Sequence, residues 1–452
     1  MPQPGDALEK LSFLTIGLFD RENPGAGHQS TLEMISLGER LGFDSAWLRH
    51  RHLQYGISSP VAVLAAAAQR TSRIELGTAV TPLGWENPLR LAEDLATVDV
   101  LSGGRLNPGV SVGPPRHWQD VRDALYPGTA DAEDFSYERV ARLLRFVAGE
   151  PAVTFRGTEG FEQYSDRVEP HSPGLRSRMW YGGASLASAR WAGEHAMNFL
   201  TSSVVRAEET ADFATIQVSH IRAFREAHPA GKAARVSQGL VVIPTDSATA
   251  AQRARYSAYV EARTPRTTAP AGPERMLFAR DLIGSSSEIA DALYAHAGFR
   301  EVTEVAFALP FTFEPDDYVQ ILTDIAEKLG PALGWQPGHL GSTRRTNLRR
   351  QGEPIYDARW LVIISRPPGS KTVPLEFHNA ETSGRPGDAV WSRPARAAGG
   401  GKPAARPVYQ ARGPSGPVGP GRRGAARRLS PARRDFSQRE FICFIRTKFC
   451  TE

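Results

Sequence analysis

Apolar positions along the first three quarters of the chain fall into two alternating patterns: short β-branched or aromatic runs, and longer stretches with apolar residues three or four apart. That alternation predicts repeated strand–helix units. Residues 11–19 (LSFLTIGLF) read as a first strand, followed by a helix over 31–41 that Gly42 stops. Residues 43–48, 73–80 and 105–112 read as the next strands, separated by helices over 60–69 and 88–101. A polar, proline-bearing insertion over 113–134 breaks the rhythm at the end of the fourth strand, where functional loops of a barrel belong. Strands over 178–181, 195–200, 235–243 and 304–309 complete the set, with helices over 137–148, 185–193, 207–227, 247–262, 287–297 and 315–329.

Eight such strands in roughly 330 residues predict an α/β fold, a single (β/α)8 TIM barrel with insertions. An open doubly wound sheet would need a glycine-rich GxGxxG turn after the first strand. Phe19-Asp20-Arg21-Glu22-Asn23-Pro24-Gly25 supplies none.

Charge divides the chain. Residues 338–452 carry 22 basic and 8 acidic side chains, a net +14, whereas 1–337 carry 32 and 41, a net −9. The domain is therefore set at 1–337 and a basic tail at 338–452. Glycine and proline make up 26 of the 115 tail residues, a composition that cannot offset chain entropy by burial and so predicts disorder. Without aromatic interleaving, an RNP string or zinc spacing, the basic charge does not point to nucleic acid. An Arg/Pro/Gly/Ala-rich run after a complete domain is what a GC-rich gene gives when read out of frame, and the tail is assigned no function. Both cysteines, Cys443 and Cys450, lie there, so the body uses no thiolate nucleophile or cysteine-held metal. No apolar stretch reaches the roughly 20 residues of a membrane helix, and residues 1–10 lack a secretory n-region. A cytoplasmic location, with no membrane contact, is the expectation.

The predicted carboxyl ends of the strands carry the candidate chemistry. They offer no metal cage, no Ser-His-Asp set and no hydrolytic carboxylate pair, but small residues, glycines and the basic cluster Arg49-His50-Arg51-His52. A cofactor that brings its own reactivity explains such a set. Gly182-Gly183-Ala184-Ser185 ends a strand and opens a helix, which suits either an anion seat at a helix N-terminus or a plain serine-capped turn.

Five strings carry a resemblance: Gly42-Phe43-Asp44-Ser45-Ala46-Trp47-Leu48; Arg73-Ile74-Glu75-Leu76-Gly77-Thr78-Ala79-Val80; Asn87-Pro88-Leu89-Arg90-Leu91-Ala92-Glu93-Asp94; Leu101-Ser102-Gly103-Gly104-Arg105-Leu106 with Gly109-Val110-Ser111-Val112-Gly113; and Trp180-Tyr181-Gly182-Gly183-Ala184-Ser185. In this order they resemble the bacterial luciferase-like family of flavin- and deazaflavin-dependent oxidoreductases, over about residues 11–335. The resemblance implies a bulge and a non-prolyl cis peptide at Ala79-Val80 facing the flavin ring. It makes Gly182, Gly183, Ala184 and Ser185 the phosphate seat and puts Ser111 beside the cofactor. At the place of the luciferase Glu-His-His this chain has His50-Arg51-His52, with Arg51 where the catalytic histidine of luciferases stands. His52 is accordingly expected to move a proton and Arg51 to hold an anion or stabilise reduced flavin. Ser111 replaces a reactive cysteine of luciferases and Val112 a phosphate-binding arginine.

The implied activity is a monooxygenase that uses reduced FMN, delivered by a separate flavin reductase, and oxygen on a small organic substrate. A homodimer is the implied assembly, and no metal is expected. A dehydrogenase or reductase using the deazaflavin cofactor is the rival, and a flavin-binding protein without turnover a third possibility.

Overall fold

A computed structural model of the chain describes residues 7–337; the tail expected from 338 onward lies outside the described residues. Eight parallel strands close into a barrel: β1 Lys10–Thr15, β2 Ser45–Leu48, β3 Glu75–Pro82, β4 Leu106–Ser111, β5 Trp180–Gly183, β6 Asn198–Thr201, β7 Val236–Gln238 and β8 Glu304–Ala308. Each pairs with its sequence neighbours, and β8 closes on β1 through Lys10↔Glu304 to Leu14↔Ala308. The TIM barrel expected from the sequence is the fold.

The predicted elements are all present, with shifted ends. β1 stops at Thr15 rather than at residue 19, because Gly17 turns the chain at φ 62° and a Cβ there would strike Ile57. The first helix begins at Pro24, seven residues before the expected start, because the Asn23 side chain accepts from the Ala26 amide and Pro24 fits the first helical turn. Its opening turn, Pro24-Gly25-Ala26-Gly27, is made of small residues and is largely exposed, so hydrophobic periodicity misses it. The strand expected over 235–243 is two: β7, and Val242–Pro244, which leaves the barrel to pair with Leu282–Gly284. The 113–134 insertion contains a helix, Trp118–Leu125, and the segment before β5 a hairpin of Gly157–Glu159 with Glu162–Tyr164.

The barrel interior is layered. At the amino ends of the strands sits an ionic layer in which Lys10 reaches Glu75 (2.7 Å) and Arg235 bridges Glu304 (2.7 Å) and Glu75 (3.5 Å). Above it the Trp47 and Trp180 rings meet edge to face, centroids 5.4 Å apart. Their indole N–H groups donate to Ser45 Oγ and Asn107 Oδ1, which satisfies both polar atoms of an otherwise dry layer. Leu200 and Ala306 complete this cluster, and Leu14, Ala79 and Val80 pack on it from above. Outside the strands, Ala46, Leu48, Leu76 and Leu106 join the larger core that the helices cover. Asp99 anchors that shell: fully buried, it is held by Arg178 (2.6 and 2.9 Å) and the Leu106 amide.

Candidate active site

Strand parity sorts the basic cluster into two sets. Residues two apart share a face, and on β2 Trp47 points into the barrel while Leu48 packs outward. The ladder runs one residue past β2, where the Arg49 amide donates to the Thr15 carbonyl at 2.9 Å. Arg49 therefore continues the inward series of Trp47, and His50 the outward series of Leu48. Arg51 follows on Arg49's side, its stem over Gly56, and its amide donates to Ile57 O.

His50 and His52 sit together on the rim between β2 and β3. Their ring centroids are 4.3 Å apart, and the face of His52 stacks on Trp85 at 4.0 Å with planes 9° apart. His50 Nε2 donates to Ser58 O (2.6 Å) and lies 3.8 Å from Glu86 Oε1. His50 Nδ1 and His52 Nε2 are buried without a hydrogen-bond partner. Burial, assisted by His52, holds the His50 pKa down to about 4, and burial alone keeps His52 below the usual imidazole value. Glu86 moves the other way, its carboxyl pushed up to about 7 by burial and by the Asp94 charge, against the pull of Arg139. Of the three groups, Glu86 keeps its proton to the highest pH. Sequence reasoning missed Glu86; its signal was an acid directly ahead of the Asn87-Pro88 helix start at the end of a barrel strand. His50, His52 and Glu86 also place one ligand-type atom each within 4.8 Å of one another, the one such grouping among the described residues.

Beside this cluster, in β3, the Ala79–Val80 peptide is cis, at the position the resemblance implies. The β3–β4 register slips between Thr78 and Thr81 there. Both side chains are half-buried on top of the tryptophan layer. Gly182 keeps that surface low, since a Cβ there would come within 2.5 Å of Val80 Cγ1. Ser111 ends the neighbouring strand, β4, and is half-buried.

The Gly182-Gly183-Ala184-Ser185 turn is built largely for its own helix. Ser185 Oγ accepts from the Ser188 amide and Ser188 Oγ from the Ser185 amide, a reciprocal cap of Leu186–Glu194. The next amide, Leu186 N–H, donates to the carboxylate of Glu208 at 2.8 Å. Gly183 is buried against Ser188 and Phe199. At this helix start the anion in place is a side chain of the protein itself.

A closed parallel barrel whose polar chemistry lies at the carboxyl ends of its strands defines an enzyme of the TIM-barrel class. The chain belongs to the luciferase-like monooxygenase family, whose model matches residues 10–302. It is 32% identical over 152 residues to the 4-hydroxyprotoasukamycin monooxygenase of Streptomyces nodosus subsp. asukaensis, covering 33% of this chain and 39% of that one. It is 31% identical over 197 residues to the F420-dependent glucose-6-phosphate dehydrogenase of Intrasporangium calvum, covering 41% and 57%. The chain thus spans less than two thirds of the length of these relatives. Among solved structures, the oxygenating constituent of 3,6-diketocamphane monooxygenase of Pseudomonas putida, in complex with FMN, superposes with a TM-score of 0.52 at 17% identity, covering 72% of this chain and 99% of that one. The relatives it matches include both monooxygenases and an F420-dependent dehydrogenase. No helix among the described residues is long and apolar enough to cross a membrane.

Proposed function

We propose that this chain is a monooxygenase that takes reduced FMN from a separate reductase and, with oxygen, oxidises a small organic substrate. The observation that carries the proposal is the low apolar surface of Ala79 and Val80 over the Trp47–Trp180 layer, kept free of side chain by Gly182. That surface fits a flat aromatic ring. Ala79, Val80, Ser111 and Gly182 would hold it, with Gly183, Ala184 and Ser185 shaping the turn at its edge. Bound reduced flavin supplies the electrons that activate oxygen. The chain's own residues bind, orient and handle protons. Glu86 holds a proton near neutral pH, and His52 presents a neutral ring fixed by Trp85 through which that proton can move. Arg51 supplies positive charge to an anion in the mouth. A homodimer belongs to the same proposal, checked by light scattering.

Anaerobic titration with reduced FMN and with reduced deazaflavin, followed by admission of oxygen, tests this. Tighter binding of FMN with oxygen uptake in the presence of substrate is the expected result. Preference for the deazaflavin and indifference to oxygen would instead make the chain a dehydrogenase or reductase, the reading favoured by its 31% identity to an F420-dependent relative.

A further inference from the structure

The mouth carries positive charge that the described residues leave largely unbalanced. Arg49 and Arg51 leave β2 half-buried, Arg49 on the inward face below which Trp47 lies. Arg116 comes from the loop after β4, which packs on the β3 loop where a Cβ on Gly84 would strike Gly113 O and Pro115. Arg263 joins the set from the β8 side, lying over the ring of Phe311, just past β8, at 5.6 Å and over Tyr259 at 4.8 Å. Arg266 follows it, over Phe278 at 4.5 Å. Among the described residues, Arg263 alone of these five makes an ion pair, with Asp281. Arg49, Arg51 and Arg116 make no side-chain hydrogen bond or ion pair there, and Arg266 Nε is buried without a partner.

The charges act on one another. Burial and the repulsion of Arg51, Arg116, Arg263 and Arg266 bring the Arg49 pKa down to about 10, and burial and Arg116 lower that of Arg51. Guanidinium groups partly removed from water and left unpaired, as Arg49 and Arg51 are, carry a cost that a bound anion offsets, while the exposed Arg116 adds its charge from the surface. The turn that the family resemblance would use for an anion already holds Glu208.

We propose that Arg49, Arg51 and Arg116 form the binding site for a multiply charged anionic group, phosphate or carboxylate, on an organic ligand of this barrel, with Arg263 and Arg266 adding to its field. The inference deepens the flavin reading and rests on it for the organic part of the ligand. The anion can come from the cofactor's phosphate or from the substrate, and guanidinium forks recognise either in the same way.

The test uses the full chain and three probes: inorganic phosphate, FMN and riboflavin. Phosphate, at ionic strength matched with chloride, is expected to raise the thermal midpoint of the wild type, and to raise that of Arg49→Gln and of Arg49→Gln/Arg51→Gln much less. Without phosphate both variants are expected to melt no lower than the wild type, because they are relieved of a repulsion and give up no partner. Removing one hydrogen bond to a charged group changes affinity roughly ten- to a hundredfold. A fall of that size in FMN affinity in Arg49→Gln, with riboflavin unchanged, assigns the anion to the cofactor. An unchanged FMN-to-riboflavin ratio, together with a phosphate response abolished in the variants, assigns it to the substrate. Phosphate that does no more than chloride for the wild type, or acts equally on wild type and double variant, overturns the site. Failure of every flavin to bind would sink the proposed function but leave the phosphate result to decide this inference.

Discussion

The imidazole of His52 lies flat on the indole of Trp85, with centroids 4.0 Å apart and planes 9° apart, and its buried Nε2 has no hydrogen-bond partner. Stacking fixes the ring while leaving that nitrogen for a ligand or a proton. His52→Ala is expected to cut turnover by at least about 10²-fold, the lower end of what general acid–base help contributes. Flavin affinity should stay within a few-fold. Steady-state kinetics beside a flavin titration checks it, and near-normal turnover across the neutral range would remove His52 from the chemistry.

Glu86 sets the pH dependence. Its carboxyl, at about 7 in the folded chain against an ordinary 4.5, keeps its proton while the unfolded chain loses it. Stability from this group is therefore full below 4.5 and declines as pH rises toward 7, by about 3 kcal/mol. His50 and His52, held below their usual value, act with the opposite sign as pH falls below about 6.5. The comparison is thus variant against wild type: Glu86→Gln should gain stability relative to wild type as pH is raised from 4.5 to 8 in urea titrations. If Glu86 also carries the catalytic proton, a kinetic inflection near pH 7 should vanish in the same variant.

Ser185 and Gly183 separate structure from binding at the glycine turn. Ser185→Ala removes the cap of Leu186–Glu194 and should cost about 1 kcal/mol in denaturant unfolding. Gly183→Val would push a side chain into Phe199, 2.8 Å from the new Cβ, and should cost about 1–3 kcal/mol by overpacking. If either change instead weakens FMN and leaves riboflavin alone, with stability intact, the turn holds the phosphate after all.

Truncation tests the tail. A chain ending at residue 337 is expected to fold and bind cofactor as the full chain does. A chain ending at Leu333 should not match it, because Trp335 is buried, donates to Asp44 Oδ2 (2.8 Å) and packs near Phe43. Loss of a buried tryptophan costs about 3–5 kcal/mol. Circular dichroism melts of the two truncations give the answer.

The order of strands and the barrel were legible in the sequence; the carboxyl ends of β1 and β7 were not, since β1 stops at Thr15 and the run over 235–243 splits after Gln238. Short apolar runs alternating with helical periods leave few ways to bury both faces of a parallel sheet. The motifs at residues 73–80 and 180–185 marked the strands that carry the cis Ala79–Val80 peptide and the glycine packed against it. The sequence also offered Arg51 and His52 as candidates for the chemistry, although with the strand ending at Leu48 their directions were open. Only the tertiary structure decided those: the ladder bond from Arg49 to Thr15 carries the parity of Trp47 onward, turning the arginines inward and the histidines toward Trp85 and Glu86. It also brought Glu208, a distant residue, to the amide of Leu186, and gathered arginines from separate segments into one field. None of these follows from local pattern, because each depends on which loops meet across a closed barrel, and that is fixed by packing between residues far apart in the chain.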